Sequence, residues 1–396
     1  MKKSVQFGAG NIGRGFMGQL FWEAGFKTVF IEARKDIAEL LKEKKKYPLK
    51  LLDAYKKRQV DMIIDNIDCL HSNDTDKIAS EITFSNVICT AVGIKILEPI
   101  SRVIAEGLKK RIKENPVPVD IYLCENTLEA PTILKDYVYR YLNQPVRQWA
   151  DKTIGFVGTI VARMVPPSSS QFGIKDPLFV VADEYHKLPY DGSAIKSEAL
   201  EIEGMHTVNN FNAEFERKLY TYNLGHAALG YLGFLKGYTF VHEPFADPFI
   251  ESIFNGALDE TSEALSKKYP EDINMKQQKE IRIDVITRFG NPMLQDTVLR
   301  VARDPIRKLG SDDRIIGSIN LCLDYGIFPE NILKICAAAY NFDNSSDSIA
   351  INLQKMIADS GIEKVIKDIS KIDPDSKTGK KVIEYFYEFK NLRKEK

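Results

Sequence analysis

Ten residues near the start of the chain, FGAGNIGRGF at 7–16, restrict its fold more than any other stretch. Three glycines form the pattern G-x-G-x-x-G between a strand-like run, SVQF, and a helix-like run, IGRGFMGQLFWEAG. Such glycines allow a tight turn, close approach of a pyrophosphate to the backbone, and close packing of helix on strand. The positive end of the helix attracts the phosphates. The pattern predicts a dinucleotide site that comprises Val5, Phe7, Gly8, Ala9, Gly10, Asn11, Ile12 and Gly13.

An acidic residue stands where such a site needs one. Glu32 ends the next strand-like run, KTVFIEA at 27–33, and lies 24 residues after Gly8. A carboxylate there binds the ribose hydroxyls of the cofactor and repels a 2′-phosphate, which predicts NAD rather than NADP. Arg34 would weaken that preference. A glycine-rich turn without a ligand, or a site for FAD or a methyl-donor nucleotide, are the alternatives.

Composition limits the class of protein. At 396 residues the chain is too long for one ordinary core, so two domains are expected. Lys+Arg 55 balances Asp+Glu 55, which removes any bulk attraction to nucleic acid or to an anionic membrane. Five scattered cysteines predict neither a disulfide framework nor a zinc site. Without a signal peptide or a membrane-length apolar run, we expect a cytoplasmic protein.

The order of apolar runs predicts the architecture. Short strand-like runs alternate with amphipathic helical runs up to about residue 150, which is typical of a doubly wound parallel sheet covered on both faces. The stretch 45–85 breaks this rhythm and suggests an inserted hairpin or irregular strands. From about 211 onward helical periodicity dominates. We predict an α/β fold, with a Rossmann-type domain at 1–200 and a mainly α-helical domain at 201–396.

The stretch RKLYTYNLGHA contains the best catalytic candidates. On a regular α-helix, Lys218, Asn223 and His226 fall within an arc of roughly 140°. A desolvated lysine with a lowered pKa can exchange the proton of an alcohol, an asparagine amide can stabilise an alkoxide, and a histidine can orient a substrate. The alternative is an ordinary solvated helix face. No second His, Cys or acid stands at a ligand spacing on that helix, so no metal site is predicted.

Strand ends add further candidates, because open α/β sheets bind ligands there. The segment TAVG at 90–93 places Ala91 and Val92 near the nicotinamide half of the predicted cofactor. The segment CEN at 124–126 places Asn126 at a strand end, as a second oxyanion donor or as a simple loop cap.

Five segments together resemble a known family: FGAGNIGRGF, TAVG, CEN, RKLYTYNLGHA and PIRKLGSDDR. In order and spacing they are similar to the polyol-specific long-chain dehydrogenases, also called the mannitol dehydrogenase family, and to its mannitol 1-phosphate branch. Lys218, Asn223 and His226 match the family pattern K-x4-N-x2-H, and the resemblance runs from residue 3 to beyond residue 340.

This resemblance implies a metal-independent, commonly monomeric NAD enzyme that interconverts D-mannitol 1-phosphate and D-fructose 6-phosphate. It implies Lys218 as general acid/base, Asn223 and Asn126 as oxyanion donors, and His226 as a substrate-orienting residue. A substrate phosphate requires cationic partners, for which Arg163, Arg307, Lys308 and Arg314 are the candidates.

The chain also departs from the family. Ala162 stands where the family has an aspartate, a second aspartate is replaced by Thr159 or its neighbour Gly158, and Ser318-Ile319 replaces a frequent Lys-Pro. These changes leave the substrate open between a polyol phosphate, an unphosphorylated polyol and a sugar-acid ketone of the tagaturonate or fructuronate type. A non-catalytic nucleotide sensor is the remaining alternative, but it has no reason to keep a buried lysine.

Overall fold

The computed structural model describes residues 2–166, 172–198 and 200–394. The chain divides into two compact units, Met1–Asn212 and Ala213–Lys396. The boundary predicted after residue 200 precedes this division. Across the described ranges, no helix combines the length and the apolar character needed to cross a membrane.

The first unit contains strands that range from four to seven residues. They are β1 (Lys3–Phe7), β2 (Lys27–Glu32), β3 (Tyr47–Asp53), β4 (Arg58–Ile64), β5 (Ile67–His71), β6 (Val87–Thr90), β7 (Val119–Leu123), β8 (Ile154–Gly158), β9 (Val180–Asp183), β10 (Leu188–Asp191) and β11 (Met205–Val208). Its helices are α1 (Gly18–Glu23), α2 (Lys35–Lys44), α3 (Thr75–Phe84), α4 (Leu97–Glu114), α5 (Ala130–Tyr139) and α6 (Gln144–Thr153), with a π turn (Gly13–Met17) before α1 and 3-10 turns at Ile94–Ile96 and Gly192–Ala194.

Six of these strands form one parallel sheet in the order β5-β2-β1-β6-β7-β8. This is the doubly wound Rossmann order, and the prediction from the alternating apolar runs is confirmed. Strand order reverses between β1 and β6, so the loops that follow these two strands border the crevice where such sheets bind ligands.

Alternation along the strands fills both faces of this sheet. On β1, Val5 and Phe7 face one way and join the buried side chains of α3, α4 and α5. On the other face, Cys89 and Tyr122 pack with Phe16 and its neighbours from the π turn and α1. Side chains on both faces of the sheet are buried, which explains why the sequences of these strands are continuous apolar runs.

The irregular stretch after α2 is partly a hairpin. β3 and β4 pair antiparallel, β3 also pairs parallel with β9, and β10 pairs parallel with β11. β5 follows directly and joins the edge of the main sheet beside β2. The predicted interruption of the α/β rhythm therefore consists of one inserted hairpin, after which the rhythm resumes.

The second unit is helical, and its first helix begins two residues before the division, at Phe211. It comprises α7 (Phe211–Lys218), α8 (Leu224–Lys236), α9 (Pro248–Lys268), α10 (Met275–Phe289), α11 (Val298–Ala302), α12 (Pro305–Lys308), α13 (Ile316–Asp324), α14 (Glu330–Tyr340), α15 (Ser348–Ser360), α16 (Ile362–Val365) and α17 (Lys377–Lys394), with π turns at Leu219–Asn223 and Ile366–Ser370 and 3-10 turns at Glu243–Ala246 and Pro292–Leu294. α8 lies at its centre, buried on almost every side. Gly230 lets α11 approach, since a Cβ there would come within 2.9 Å of Val301.

Candidate active site

The glycine turn is built as the sequence predicts. Gly8 has φ +88°, and a Cβ on it would lie 2.5 Å from the carbonyl oxygen of Ala91. A Cβ on Gly13 would lie 1.9 Å from the carbonyl oxygen of Gly8. Packing within the protein therefore requires glycine at both positions. Ala91 donates its N–H to the carbonyl of Phe7 at 2.9 Å, and this hydrogen bond connects the start of the loop after β6 to the end of β1.

Gly10 differs from the other two glycines. Its φ is not in the left-handed region and no atom lies within 4 Å of the Cβ it lacks, so neither strain nor packing in the protein demands glycine there. Gly10 is exposed and precedes the π turn that leads into α1. The open space beside Gly10, which a Cβ would occupy, lets a pyrophosphate approach the backbone closely. The turn therefore fits a dinucleotide.

Glu32 holds the turn from the end of β2. One carboxylate oxygen accepts from the N–H of Ala9 at 3.1 Å, and the other accepts from the N–H of Arg34 at 2.8 Å. Arg14, which is buried, donates from Nε to the carbonyl of Ala9 at 2.6 Å and from Nη1 to that of Leu178 at 2.6 Å. The acid predicted to bind ribose is thus pre-positioned beside the phosphate turn.

Glu125 organises the loop after β6. Its buried carboxylate accepts from the N–H of Val92 at 3.0 Å, from the N–H of Gly93 at 2.8 Å and from the Thr90 hydroxyl at 3.2 Å. Gly93 has φ +88°, which favours glycine at this bend. Glu125 therefore holds the loop predicted to carry the nicotinamide half of the cofactor.

The other candidates of the first unit lie in different surroundings. Val5 and Phe7 have buried core side chains, so only their backbone atoms face the turn. Asn11 and Asn126 are exposed, and Asn126 lies three residues beyond β7. Arg163 is buried and donates to the carbonyls of Asp183 and Gly15 and to the side chain of Gln19, at 2.8, 3.1 and 2.8 Å. These contacts tie Arg163 to the interior of the first unit.

A π turn, Leu219–Asn223, separates α7 from α8 and lies inside the K-x4-N-x2-H segment. An α-helix advances about 100° per residue, and a π turn inserts one extra residue with no extra rotation. Relative to Lys218, the turn moves Asn223 from about 140° to about 40° and His226 from about 80° to about −20°. The arc that contains all three narrows from about 140° to about 60°. The regular helix assumed from the sequence is interrupted, and the interruption gathers the three side chains.

Lys218 ends α7 in a half-buried position. Desolvation, together with the positive charge of Arg314, lowers the pKa of its ammonium group to about 7, while the carboxylate of Asp313 opposes the shift. An amine with this pKa exists in both protonation states near neutral pH. Lys218 can therefore both accept and donate a proton near neutral pH.

His226 is held by two contacts. Its Nε2 lies 3.2 Å from a carboxylate oxygen of Asp296, and its ring stacks on Phe289 with centroids 4.6 Å apart. Arg300 binds the same carboxylate through Nε and Nη2. Burial lowers the pKa of His226, although the hydrogen bond to Asp296 opposes this shift. The imidazole is therefore neutral near pH 7.

The basic candidates of the second unit form one charged group around α12. Arg307 contacts Asp304 and Asp313, each at 2.7 Å, and Arg314 contacts Asp313 at 2.7 Å. Lys308 is buried and donates to the carbonyl of Val301 at 2.6 Å, and burial lowers its pKa well below the ordinary value.

The positions at which this chain departs from the family differ in burial and in hydrogen bonding. Thr159 is buried and donates to the carbonyl of Leu123 at 2.8 Å. Ser318 is buried in α13 and donates to the carbonyl of Arg314 at 2.6 Å. Ala162 is half-buried beyond β8. Ser318 therefore supports the backbone of a basic residue that the sequence had singled out.

Glu125 and Asp296 were missed by the sequence reasoning. Glu125 adjoins Asn126 in CEN. An acidic residue at the end of a strand, close to a glycine-containing loop, could have been predicted to bind the backbone of that loop. Asp296 lies 70 residues from His226, and nothing in their spacing connects them. Among the described residues, no group of three or more His, Cys, Asp or Glu side chains is arranged to hold a metal ion.

Comparisons with known proteins agree with this geometry. The Rossmann domain of mannitol dehydrogenase matches residues 2–204, and its C-terminal domain matches residues 210–391. A mannitol-1-phosphate 5-dehydrogenase of Geobacillus stearothermophilus is 37% identical, covering 94% of this chain and 96% of the relative. One from Caldanaerobacter subterraneus is 34% identical, covering 98% and 99%.

Solved structures show the same fold at low identity. The Pseudomonas fluorescens mannitol 2-dehydrogenase, solved as a ternary complex with NAD and D-mannitol, superposes with a TM-score of 0.78 at 16% identity, covering all of this chain and 94% of that one. A substrate-free D-sorbitol dehydrogenase also gives a TM-score of 0.78 at 16% identity, covering 99% and 93%. The chain belongs to the mannitol dehydrogenase family and is an NAD-dependent oxidoreductase.

Proposed function

We propose that this protein interconverts D-mannitol 1-phosphate and D-fructose 6-phosphate, with Lys218 as the general acid/base. The observation that carries the proposal is the lowered pKa of Lys218, about 7, on a helix face shared with Asn223 and His226. The names of the curated relatives support the choice of a phosphorylated substrate.

NAD, when bound, supplies the acceptor or donor of the hydride at the carbon that is oxidised or reduced. During oxidation of the alcohol, Lys218 Nζ takes the hydroxyl proton while the C–H bond gives up its hydride. During reduction of the ketone, the same Nζ returns a proton to the oxygen. A pKa near 7 serves both directions, because general acid–base catalysis works best when the pKa of the group lies near the working pH.

The two asparagines have separate support. Asn223 lies within about 40° of Lys218 on the helix, so its amide can donate to the same substrate oxygen. Asn126 follows a sheet strand at the edge where open sheets bind ligands. We assign to both the stabilisation of developing negative charge on the oxygen.

Arg307 and Arg314 are the proposed partners of a substrate phosphate. Guanidinium groups bind phosphate in two parallel hydrogen bonds, and a dianion would compete with Asp304 and Asp313 for them. The Lys308 ammonium already donates to the carbonyls of Val301 and Arg303, and Arg163 is tied to the first unit. These two cations are weaker candidates for direct contact.

The substrate test is a comparison of ketoses in NADH oxidation. We expect kcat/KM for fructose 6-phosphate to exceed that for fructose and tagaturonate by about 10³-fold, equivalent to about 4 kcal/mol. An equal or better rate with an unphosphorylated ketone would reject the phosphate site. It would leave the lysine chemistry in place for an unphosphorylated polyol or a sugar-acid ketone.

We further propose that the enzyme works without a metal, as a monomer and in the cytoplasm, as the resemblance and the composition imply. Light scattering after gel filtration should return the mass of one chain. A mass of two or more chains would reject the monomer.

A further inference from the structure

The carboxylate of Asp296 has no part in the proton chemistry described above, yet it is buried and bound by two side chains, His226 and Arg300. Its side chain is 7% exposed, and Arg300, four residues further along the chain, binds both of its oxygens. The backbone of Asp296 is also fixed, since its carbonyl accepts from the N–H of Val241 at 2.8 Å. Asp296 therefore presents a rigid acceptor to His226.

Asp296 is ionised near neutral pH. Burial opposes its charge, but hydrogen bonds from His226 and Arg300 prevail and lower its pKa to about 2. An ionised carboxylate is only an acceptor of hydrogen bonds. The imidazole nitrogen that faces it at 3.2 Å must therefore carry a hydrogen.

The neutral imidazole has one N–H and one lone pair. The charged groups around it are Asp296, Arg300 and Arg314; burial, together with the two arginines, outweighs Asp296 and lowers the pKa of His226. With the hydrogen on Nε2, the lone pair lies on Nδ1. Within residues 2–166, 172–198 and 200–394, no hydrogen bond to this Nδ1 is present. Stacking on Phe289 restrains rotation of the ring.

We propose that Asp296, clamped by Arg300, is a positioning residue that fixes His226 as its Nε2–H tautomer, so that Nδ1 accepts a hydrogen bond from a substrate hydroxyl. This inference rests on the proposed function, because it requires a substrate with hydroxyl groups beside the reacting carbon. It predicts that the enzyme recognises an O–H donor at that position and discriminates against analogues that lack it. A deoxy or methyl-ether analogue would leave Nδ1 without a donor.

The test uses Asp296→Asn, which keeps the shape but gives the side chain one donor group. The single amide oxygen can accept either from His226 Nε2 and Arg300 Nη2 or from Arg300 Nε, so at least one contact is lost in either orientation. When the amide nitrogen faces the ring, it can donate to a lone pair on Nε2, so Nε2–H is no longer dictated. We expect kcat/KM for the sugar substrate to fall by about ten- to a hundredfold, while the Kd for NADH is unchanged. Asp247→Asn, which removes a carboxylate that caps α9 and pairs with Lys236, is the matched control and should leave kcat/KM intact.

A second readout reports the tautomer directly. Nitrogen-15 NMR of the histidine-labelled protein distinguishes N–H from lone-pair nitrogens, and His226→Gln identifies the signals among the five histidines. We expect an Nε2–H pattern in the wild type and a shift towards Nδ1–H in Asp296→Asn. An Nδ1–H or doubly protonated ring in the wild type at pH 7 would overturn the proposal, as would Asp296→Asn with unchanged spectrum and kcat/KM. The spectrum needs no turnover, so a failed substrate assignment is distinguishable from a failed tautomer assignment.

Discussion

The lowered pKa of Lys218 predicts how kcat/KM changes with pH, in opposite directions for oxidation and reduction. A base with a pKa near 7 is about 1% neutral at pH 5 and about 99% neutral at pH 9. Because alcohol oxidation needs the neutral amine, kcat/KM for the polyol should fall about tenfold per pH unit below 7 and level off above it. Ketone reduction needs the ammonium form, so its kcat/KM should decline above pH 7 instead.

Two neighbouring charges should move this pH dependence in opposite directions. The Arg314 guanidinium lowers the pKa of Lys218 and the Asp313 carboxylate raises it. Arg314→Gln should therefore shift the midpoint of the oxidation profile to higher pH, and Asp313→Asn should shift it to lower pH. The assay is initial-rate kcat/KM for polyol oxidation across pH 5–10, with circular dichroism to confirm folding.

The control is Arg140→Gln, which removes an exposed arginine that pairs with Glu98 in the first unit. Surface charges are screened by solvent, so the midpoint should not move. A shift of the midpoint in the same direction in both test variants, or no shift in either, would refute the roles assigned to Arg314 and Asp313. A change in KM alone, as loss of a phosphate partner at Arg314 would produce, leaves the midpoint in place.

Three further outcomes follow from the cofactor turn and from the family resemblance. Glu32→Gln should narrow the NAD over NADP preference in kcat/KM, because it removes the charge that repels a 2′-phosphate; an unchanged ratio would place Glu32 away from the ribose. Glu125→Gln should raise the Kd for NADH about tenfold or more, because a single amide oxygen cannot accept from both Val92 and Gly93, whereas Glu129→Gln, at an exposed position, should bind NADH normally. Incubation with EDTA should leave kcat unchanged, and a loss restored by a divalent cation would contradict metal independence.

Much of the first unit could be predicted from the sequence because its signals are local. The turn needs Gly8 for its positive φ and Gly13 because it packs on Gly8 five residues earlier, and the buried strands need apolar residues on both faces. Such requirements leave a pattern that can be read along the chain. The hairpin of β3 and β4 was less clear, since its role depends on pairing with the distant β9.

The sequence supplied the candidate site residues, which stay a prediction, but it did not supply the geometry of the site. Lys218, Asn223 and His226 were identified, yet the π turn between them adds one residue to a helix whose local sequence gives no sign of it. Asp296 reaches His226 from 70 residues away, and only the packing of α8 against the segment before α11 brings them together. Contacts between residues so far apart depend on tertiary structure and produce no periodic pattern in the sequence.

The most direct test of the account is the Lys218→Ala variant. We expect kcat for fructose 6-phosphate reduction to fall by about 10²–10⁴-fold, the usual contribution of general acid–base catalysis, with NADH affinity measured by fluorescence titration nearly unchanged. Added methylamine should restore part of the lost rate by supplying the missing proton donor. A variant that turns over near the wild-type rate would contradict the assignment of Lys218 and, with it, the proposed mechanism.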